Sequence, residues 1–233
     1  MRIFEFKNYS QINSDYLLSD MHMHSTWTDG MGSIEENIIQ AKSIGIKRIA
    51  ATDHIRSSST YFKDYSIEIN ELRNKHSFEI YIGFEAKVND FEGNIDVSPN
   101  DLAQSEISIC SVHRFPIGRK LIAASDFNIQ TAQEIELELS IAAITKGGFT
   151  VMGHPGGMSI RAHKTFNINY FEEIIIACKK HNIAFDFNSS YHQDFKQDLI
   201  KLFIKHDPLI SIGSDAHRPE FIGQASQKLF NNE

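Results

Sequence analysis

Cysteine is scarce in this chain: two residues, Cys110 and Cys178, among 233. That excludes a disulfide framework, and both thiols sit in apolar segments where buried, free side chains are expected. Basic blocks are also missing. The net charge is −7, with no Lys/Arg-rich tail, which disfavours an extended nucleic-acid surface. No apolar run approaches bilayer-spanning length, so no membrane partner is expected. The first residues, from Met1 to Lys7, carry no continuous apolar stretch and no small-residue cleavage site. They do not read as a signal peptide, and a cytoplasmic location is expected. Repeats, low-complexity tracts and linkers are absent as well, which points to one domain over 1–233 with a core at about 17–230.

What the chain does have is a regular alternation of two periods. Apolar runs near 17–22, 47–52, 79–85, 107–113, 149–154, 183–188 and 209–214 are rich in Ile, Val and Phe and read as strands covered on both faces. Between them lie amphipathic segments. The first opens at Ser33, with Glu36 completing a capping box, and ends at Gly45. Others run near 64–76, 131–146, 169–181 and 195–206, and a last helix is expected from Pro219, a good first-turn residue. Strands alternating with helices imply parallel βαβ units. Residues 86–105 interrupt the rhythm and read as a small hairpin reaching over one end of the fold.

Each of the seven runs ends in residues of one chemical kind. Asp20, His22 and His24 alternate, so on a strand all three point one way, with Asp20 placed to support a histidine from behind. Asp29 follows in a Thr-Asp-Gly turn. Later runs stop at Asp53-His54, Glu85, His113, His154-Pro155, Asn188 and Asp215-Ala216-His217. Proline after His154 predicts an extended conformation at that histidine. Glu85 leads a carboxylate out of the run Ile80-Tyr81-Ile82-Gly83-Phe84, and burial without a partner would be costly unless a cation meets it. An open sheet gathers functional residues at one switch point, whereas a barrel brings every strand end to a shared mouth. Seven decorated ends therefore favour an α/β fold of the distorted (β/α)7 barrel type, with the site at the C-terminal ends of the strands.

These motifs, Asp-x-His-x-His, Thr-Asp-His, Glu, His, Gly-His-Pro and Ser-Asp-Ala-His in that order over about residues 19–222, resemble the PHP (polymerase and histidinol phosphatase) domain family. The resemblance implies a (β/α)7 barrel with up to three divalent ions, and the donor types suit zinc, manganese or iron. Carried over by position, His22, His24, Glu85 and Asp215 would hold one ion. Glu85, His113 and His154 would hold a second, and Asp29, His54 and His217 a third. Glu85 and Asp215 would be catalytic, with Asp53 orienting its neighbours. Arg114 and Arg161, from loop position, and Asn188, from its strand end, are candidate substrate contacts. The implied function is a metal-dependent phosphoesterase cleaving a small phosphorylated metabolite with metal-activated hydroxide, histidinol phosphate being the first substrate to try. Two alternatives stay open: a phosphodiesterase or 3′–5′ nuclease acting on nucleotides, and a metal-stabilised binding module without turnover.

Overall fold

The computed structural model describes residues 4–230. A short strand β1 (Lys7–Asn8) precedes β2 (Ser19–Asp20), α1 (Ile34–Ser43), β3 (Arg48–Ala51), β4 (His54–Ile55) and α2 (Phe62–His76). Then come β5 (Glu79–Lys87), α3 (Pro99–Gln104), β6 (Ile107–Ser111), β7 (Phe115–Ile117), β8 (Lys120–Ile122) and α4 (Ile129–Lys146). The chain ends with β9 (Val151–Met152), α5 (Gly157–His163), α6 (Ile168–His181), β10 (Ala184–Asn188), α7 (Lys196–His206), β11 (Leu209–Gly213) and α8 (Gln224–Phe230). This is a mixed α/β fold with a mostly parallel sheet. Seven strands lie side by side in chain order, β2-β3-β5-β6-β9-β10-β11, every neighbouring pair parallel. β1 pairs antiparallel with β11, and β4 lies parallel beside the far end of β5.

Because the strands are parallel and consecutive, all seven C-terminal ends lie on one side of the sheet. The segment after β2 also meets β11. Met21 N–H donates to Ile212 O (2.8 Å), Asp215 N–H to His22 O (2.9 Å) and His24 N–H to Ala216 O (2.9 Å). These bonds link the first and last parallel strands just where the site residues begin. β6 and β10 are buried at every position, as strands covered on both faces must be. Apolar side chains form two clusters, one centred on residues such as Ile109, Phe171, Phe185 and Phe203, the other on Ile38, Ile49, Ile80 and Phe84.

Local signals explain the helix limits. Ser33 accepts the Glu36 N–H while the Glu36 carboxylate accepts the Ser33 N–H, the capping box anticipated for α1. Asn182 and Asp207 close α6 and α7 in the left-handed conformation (φ 57° and 48°), using side chains that tolerate it. At Pro219 the expected helix is only a 3₁₀ turn, Pro219–Phe221, and Gly223 (φ 76°) breaks the path before α8 begins. Within 86–105 the chain makes the small antiparallel turn expected there. Val88 bridges Ile95 antiparallel, Asn89 N–H donates to Asn94 O (2.7 Å) and Asp96 N–H to Lys87 O (2.9 Å), and the Gly93 turn packs against the backbone of α4. The hairpin that does stand beside the site is β7–β8, which the alternating pattern did not announce because its strands have only three residues each.

Candidate metal centre

Glu85 sits near the end of β5, 1% exposed, with five imidazoles around its carboxylate. Its Oε1 lies 2.9 Å from His154 Nε2, 3.1 Å from His113 Nε2 and 3.5 Å from His22 Nε2. Its Oε2 lies 3.1 Å from His54 Nδ1 and 3.5 Å from His24 Nε2. Asp215 Oδ1 faces His24 Nε2 at 3.1 Å and His22 Nε2 at 3.7 Å. At the outer rim Asp29 meets His24, His54 and His217 at 3.6, 3.4 and 3.4 Å. Strand alternation explains the convergence: His22 and His24 face the site, while Met21 and Met23 fall one into each apolar cluster.

Four groups of these residues bring ligand atoms within 4.8 Å of one another, and among the described residues no other side chain joins them. They are His24-Asp29-His54-His217, His22-His24-Asp215, His22-Glu85-His154 and His54-Glu85-His113. All nine ligands anticipated from the sequence are thus brought together, though the partition differs. His113 groups with His54, His154 groups with His22, and His24 reaches towards the Asp29 group. The sharing follows from Glu85, whose two oxygens each face more than one ring.

Burial alone would discharge these groups, and mutual attraction reverses that for several. Burial penalises the Glu85 carboxylate, yet His113 and His22 hold its pKa well below the usual range. Burial likewise opposes charge on His22, but Glu85 and Asp186 hold that imidazole well above its ordinary value. His54 is raised to about 9, against its burial, by Glu85 and Asp29. For His24 burial wins and its pKa is lowered. A carboxylate surrounded by rings is held together here by positive charge, and protons or metal cations are interchangeable sources of it.

Backbone geometry at the site is unusual. Asp215 (φ 54°) and His154 (φ 28°) both lie in the left-handed region, which costs a non-glycine residue of order 1 kcal/mol or more. The extended conformation expected for His154 before Pro155 is therefore not adopted. Three bonds override the proline preference: Asp186 Oδ2 accepts the His154 N–H (3.2 Å), Gly157 N–H donates to His154 O (2.9 Å), and the ring meets Glu85. Close approach makes Gly157 necessary, since a Cβ there would stand 2.9 Å from His154 Nδ1.

Several anticipated roles move. Asp20 supports no ring. Its carboxylate takes the N–H groups of Ser214 (2.9 Å) and Gly223 (2.8 Å), fixing the turn after β11, and burial raises its pKa to about 6. The support for His22 comes from Asp186, which sequence reasoning missed: Nδ1–H donates to Asp186 Oδ2 at 2.9 Å, both groups fully buried. Asp186 stands in the run Ala184-Phe185-Asp186-Phe187, the same signal of a carboxylate inside an apolar strand that exposed Glu85. Asp53 lies beneath the cleft, accepting from Ser25 N–H, Ser25 Oγ–H and Thr28 Oγ1–H at 2.7–2.9 Å, so it pins the loop that carries Asp29. Asn188 is buried too. Its Nδ2–H donates to Asp186 and its Oδ1 accepts from Ser190 N–H, leaving it off the cleft wall and correcting its reading as a substrate contact. Arg114 and Arg161 do line the cleft, a cavity of about 890 Å³ whose floor holds Glu85 and Asp215. Arg56 and Tyr191 line it as well and were not foreseen.

A family model for the PHP domain matches residues 20–198, more than half of the chain, and the protein belongs to that family. A Caldicellulosiruptor bescii protein named "Probable phosphatase" is 27% identical over 92% of this chain and 86% of its own length. The Bacillus subtilis DNA polymerase/3′-5′ exonuclease PolX is 25% identical over 94% of this chain but only 38% of its own. Among solved structures, a provisionally assigned histidinol phosphatase from Listeria monocytogenes superposes with a TM-score of 0.69 at 19% identity, covering 88% of this chain and 97% of that one. That likeness fixes the fold. Among the described residues no helix is long and apolar enough to cross a membrane.

Proposed function

We propose that this chain is a metal-dependent phosphomonoesterase acting on small phosphorylated metabolites, built as a single domain whose seven parallel strands close into a distorted barrel. The hydrogen bonds from the segment after β2 to the end of β11 support closure. One observation carries the metal reading. With Nδ1–H given to Asp186, His22 directs its Nε2 at the oxygens of Glu85 and Asp215, 3.5 and 3.7 Å away, and that buried nitrogen has no hydrogen-bond partner. A ring nitrogen aimed at two carboxylates in a dry site needs positive charge between them, and a metal ion can supply there what a proton otherwise would.

The donor set fits divalent ions of the zinc, manganese or iron type, being rich in imidazole with three carboxylates. His22, His24, Glu85, Asp215, His113 and His154 would hold ions at the floor, and Asp29, His54 and His217 at the rim. When bound, such ions supply charge opposite the phosphoryl oxygens and lower the pKa of water towards neutrality. The remaining work falls to the protein. Arg114 and Arg161 are placed to grip phosphoryl oxygens through two N–H bonds each. Tyr191, whose hydroxyl is kept protonated by burial, lines the same cleft and can donate to a substrate oxygen. Asp186 holds His22 in one tautomer, and Asp53 holds the Asp29 loop. Buried free thiols suit a reducing compartment, in line with a cytoplasmic enzyme.

The test is turnover of a phosphomonoester panel, histidinol phosphate included, on protein whose metal content is known by elemental analysis. Loss of turnover in Glu85→Ala or His54→Ala together with loss of metal is expected. A panel without turnover in the presence of manganese, zinc and iron would overturn the reading. The match to PolX supports a second reading, and faster cleavage of bis(p-nitrophenyl) phosphate than of p-nitrophenyl phosphate would favour it.

A further inference from the structure

The cleft has two electrostatic halves. All its carboxylates, Asp29, Glu85 and Asp215, belong to the histidine cluster. Every other charged side chain lining it is a cation: Arg56, Lys87, Arg114 and Arg161. Lys87 is engaged by Asp96 at 3.3 Å. Elsewhere in the molecule arginines face carboxylates, as Arg48 does Asp15, Arg73 does Glu106 and Arg218 does Glu220. Among the described residues Arg56, Arg114 and Arg161 form no such pair. They come from three separate segments, after β4, after β6 and on α5, so local sequence does not force them together. On a chain of net charge −7 this concentration of unpaired guanidinium groups is a local inversion of sign.

We infer that the substrate carries, besides the phosphoryl group met by the histidine cluster, a second anionic group, a carboxylate or another phosphate, and no free amine. The inference rests on the phosphomonoesterase reading and narrows its substrate class. One phosphoryl group at the cluster can occupy two guanidiniums at most in a bidentate manner, which leaves Arg56, directly after β4 on the cleft lining, for another anion. An ammonium group would find no carboxylate outside the cluster and would stand among like charges. By that argument histidinol phosphate, with its amine, is a poor fit to this cleft.

Binding of three phosphonates of equal chain length to the metal-loaded protein tests it: 3-phosphonopropionate, propylphosphonate and 3-aminopropylphosphonate, by calorimetry. The expected order of affinity is carboxylate, alkyl, amine, with at least tenfold between the first and last. Raising the salt to 0.5 M should compress that range, since exposed charges are screened. In Arg56→Gln the ratio of carboxylate to alkyl affinity should fall severalfold, a ratio that general loosening of the fold does not move, whereas Arg161→Gln should weaken both ligands alike. Alkyl and carboxylate bound equally, or the amine bound tightest, would overturn the inference. Turnover of the corresponding phosphate esters separates it from the reading beneath it. If propyl phosphate is cleaved as fast as 3-phosphooxypropanoate, the second-anion inference fails alone. If no ester is cleaved, the phosphatase reading fails, while the phosphonate order still decides the charge preference of the cleft.

Discussion

Replacing Asp186 by asparagine isolates the carboxylate that aims His22. Asp186 is fully buried, and its Oδ2 accepts three N–H groups: His22 Nδ1–H (2.9 Å), Asn188 Nδ2–H (3.0 Å) and His154 N–H (3.2 Å). An asparagine carbonyl can occupy the Oδ2 position with the same shape. Its NH₂ then falls where Oδ1 now stands without a partner, beside Gly213. Three bonds to a charged acceptor become three to a neutral one, and a donor pair is buried unsatisfied, each change worth roughly 1–3 kcal/mol. Metal binding is the sharper readout, because a carboxylate behind a ligating imidazole fixes its tautomer and raises its basicity. Loss of such a partner typically weakens binding by about 10–100-fold. The expected result is a Kd for zinc or manganese raised by that factor in Asp186→Asn, measured by competition with a chromogenic chelator. Circular dichroism should show the fold retained. A variant that binds metal within twofold of the parent would refute the view that Asp186 orients His22 for a cation.

Three further outcomes are expected. Glu85→Gln should lose bound metal and turnover together, since one amide cannot replace a carboxylate shared among five imidazoles; retention of full metal content in elemental analysis would count against the shared-ligand geometry. Gly153→Ala should lower the melting temperature by several degrees, because the added Cβ would lie 2.1 Å from Ser111 Oγ and 2.6 Å from Ile109 Cγ2, an overpacking cost of about 1–3 kcal/mol; Ser111→Ala in the same chain should recover part of it. His192 is fully buried, its Nε2–H given to Pro155 O at 2.8 Å, and burial depresses its pKa to about 4. Its folded value lies below the unfolded one, so the stability it contributes is present above pH 6.5 and is lost as pH falls towards 4. At about 1.4 kcal/mol per pH unit the loss is about 3 kcal/mol. In urea unfolding with EDTA, the advantage of the parent over His192→Asn should shrink by that amount between pH 7 and pH 4. The opposing titration of Asp20 is common to both proteins and cancels in the difference. A constant difference across that range would show that His192 is not held neutral.

Periodicity made the parallel strands visible because each is a run of buried residues bounded by a helix with its own caps. Pairing of β2 with β3, and of each later strand of the parallel series with the next, keeps chain order, as crossover connections between successive parallel strands favour. What escaped is what has little pattern to offer. β7 and β8 have three residues each, β4 has two, and α5 has seven, too few to define a hydrophobic face. The stretch 86–105 contains turn residues in plenty, and they mark bends without saying which surface the bends pack on. Contact of Gly93 with α4, fifty residues ahead, is a tertiary fact.

The proposed metal ligands were readable for a different reason from their supports. A metal needs particular side-chain types at strand ends, and those types are rare enough in apolar runs to stand out. Supporting residues face no such restriction. Asp20 and Asp186 are both carboxylates inside strands, separated by 166 positions, and the sequence ranks Asp20 first because it adjoins His22. Strand alternation explains why that ranking fails. Asp20 shares the inward direction of His22, but it lies one pleat lower, where Ser214 and Gly223 present backbone N–H groups that claim both oxygens. Asp186 approaches from β10, across the sheet beside β11, and so meets His22 at its Nδ1 edge. The same geometry demotes Asn188, two residues further along β10, since its amide is consumed in fastening Asp186. Chemistry visible along one strand thus names the atoms that face a ligand, whereas the atoms that hold them come from neighbouring strands, and only the assembled sheet decides which.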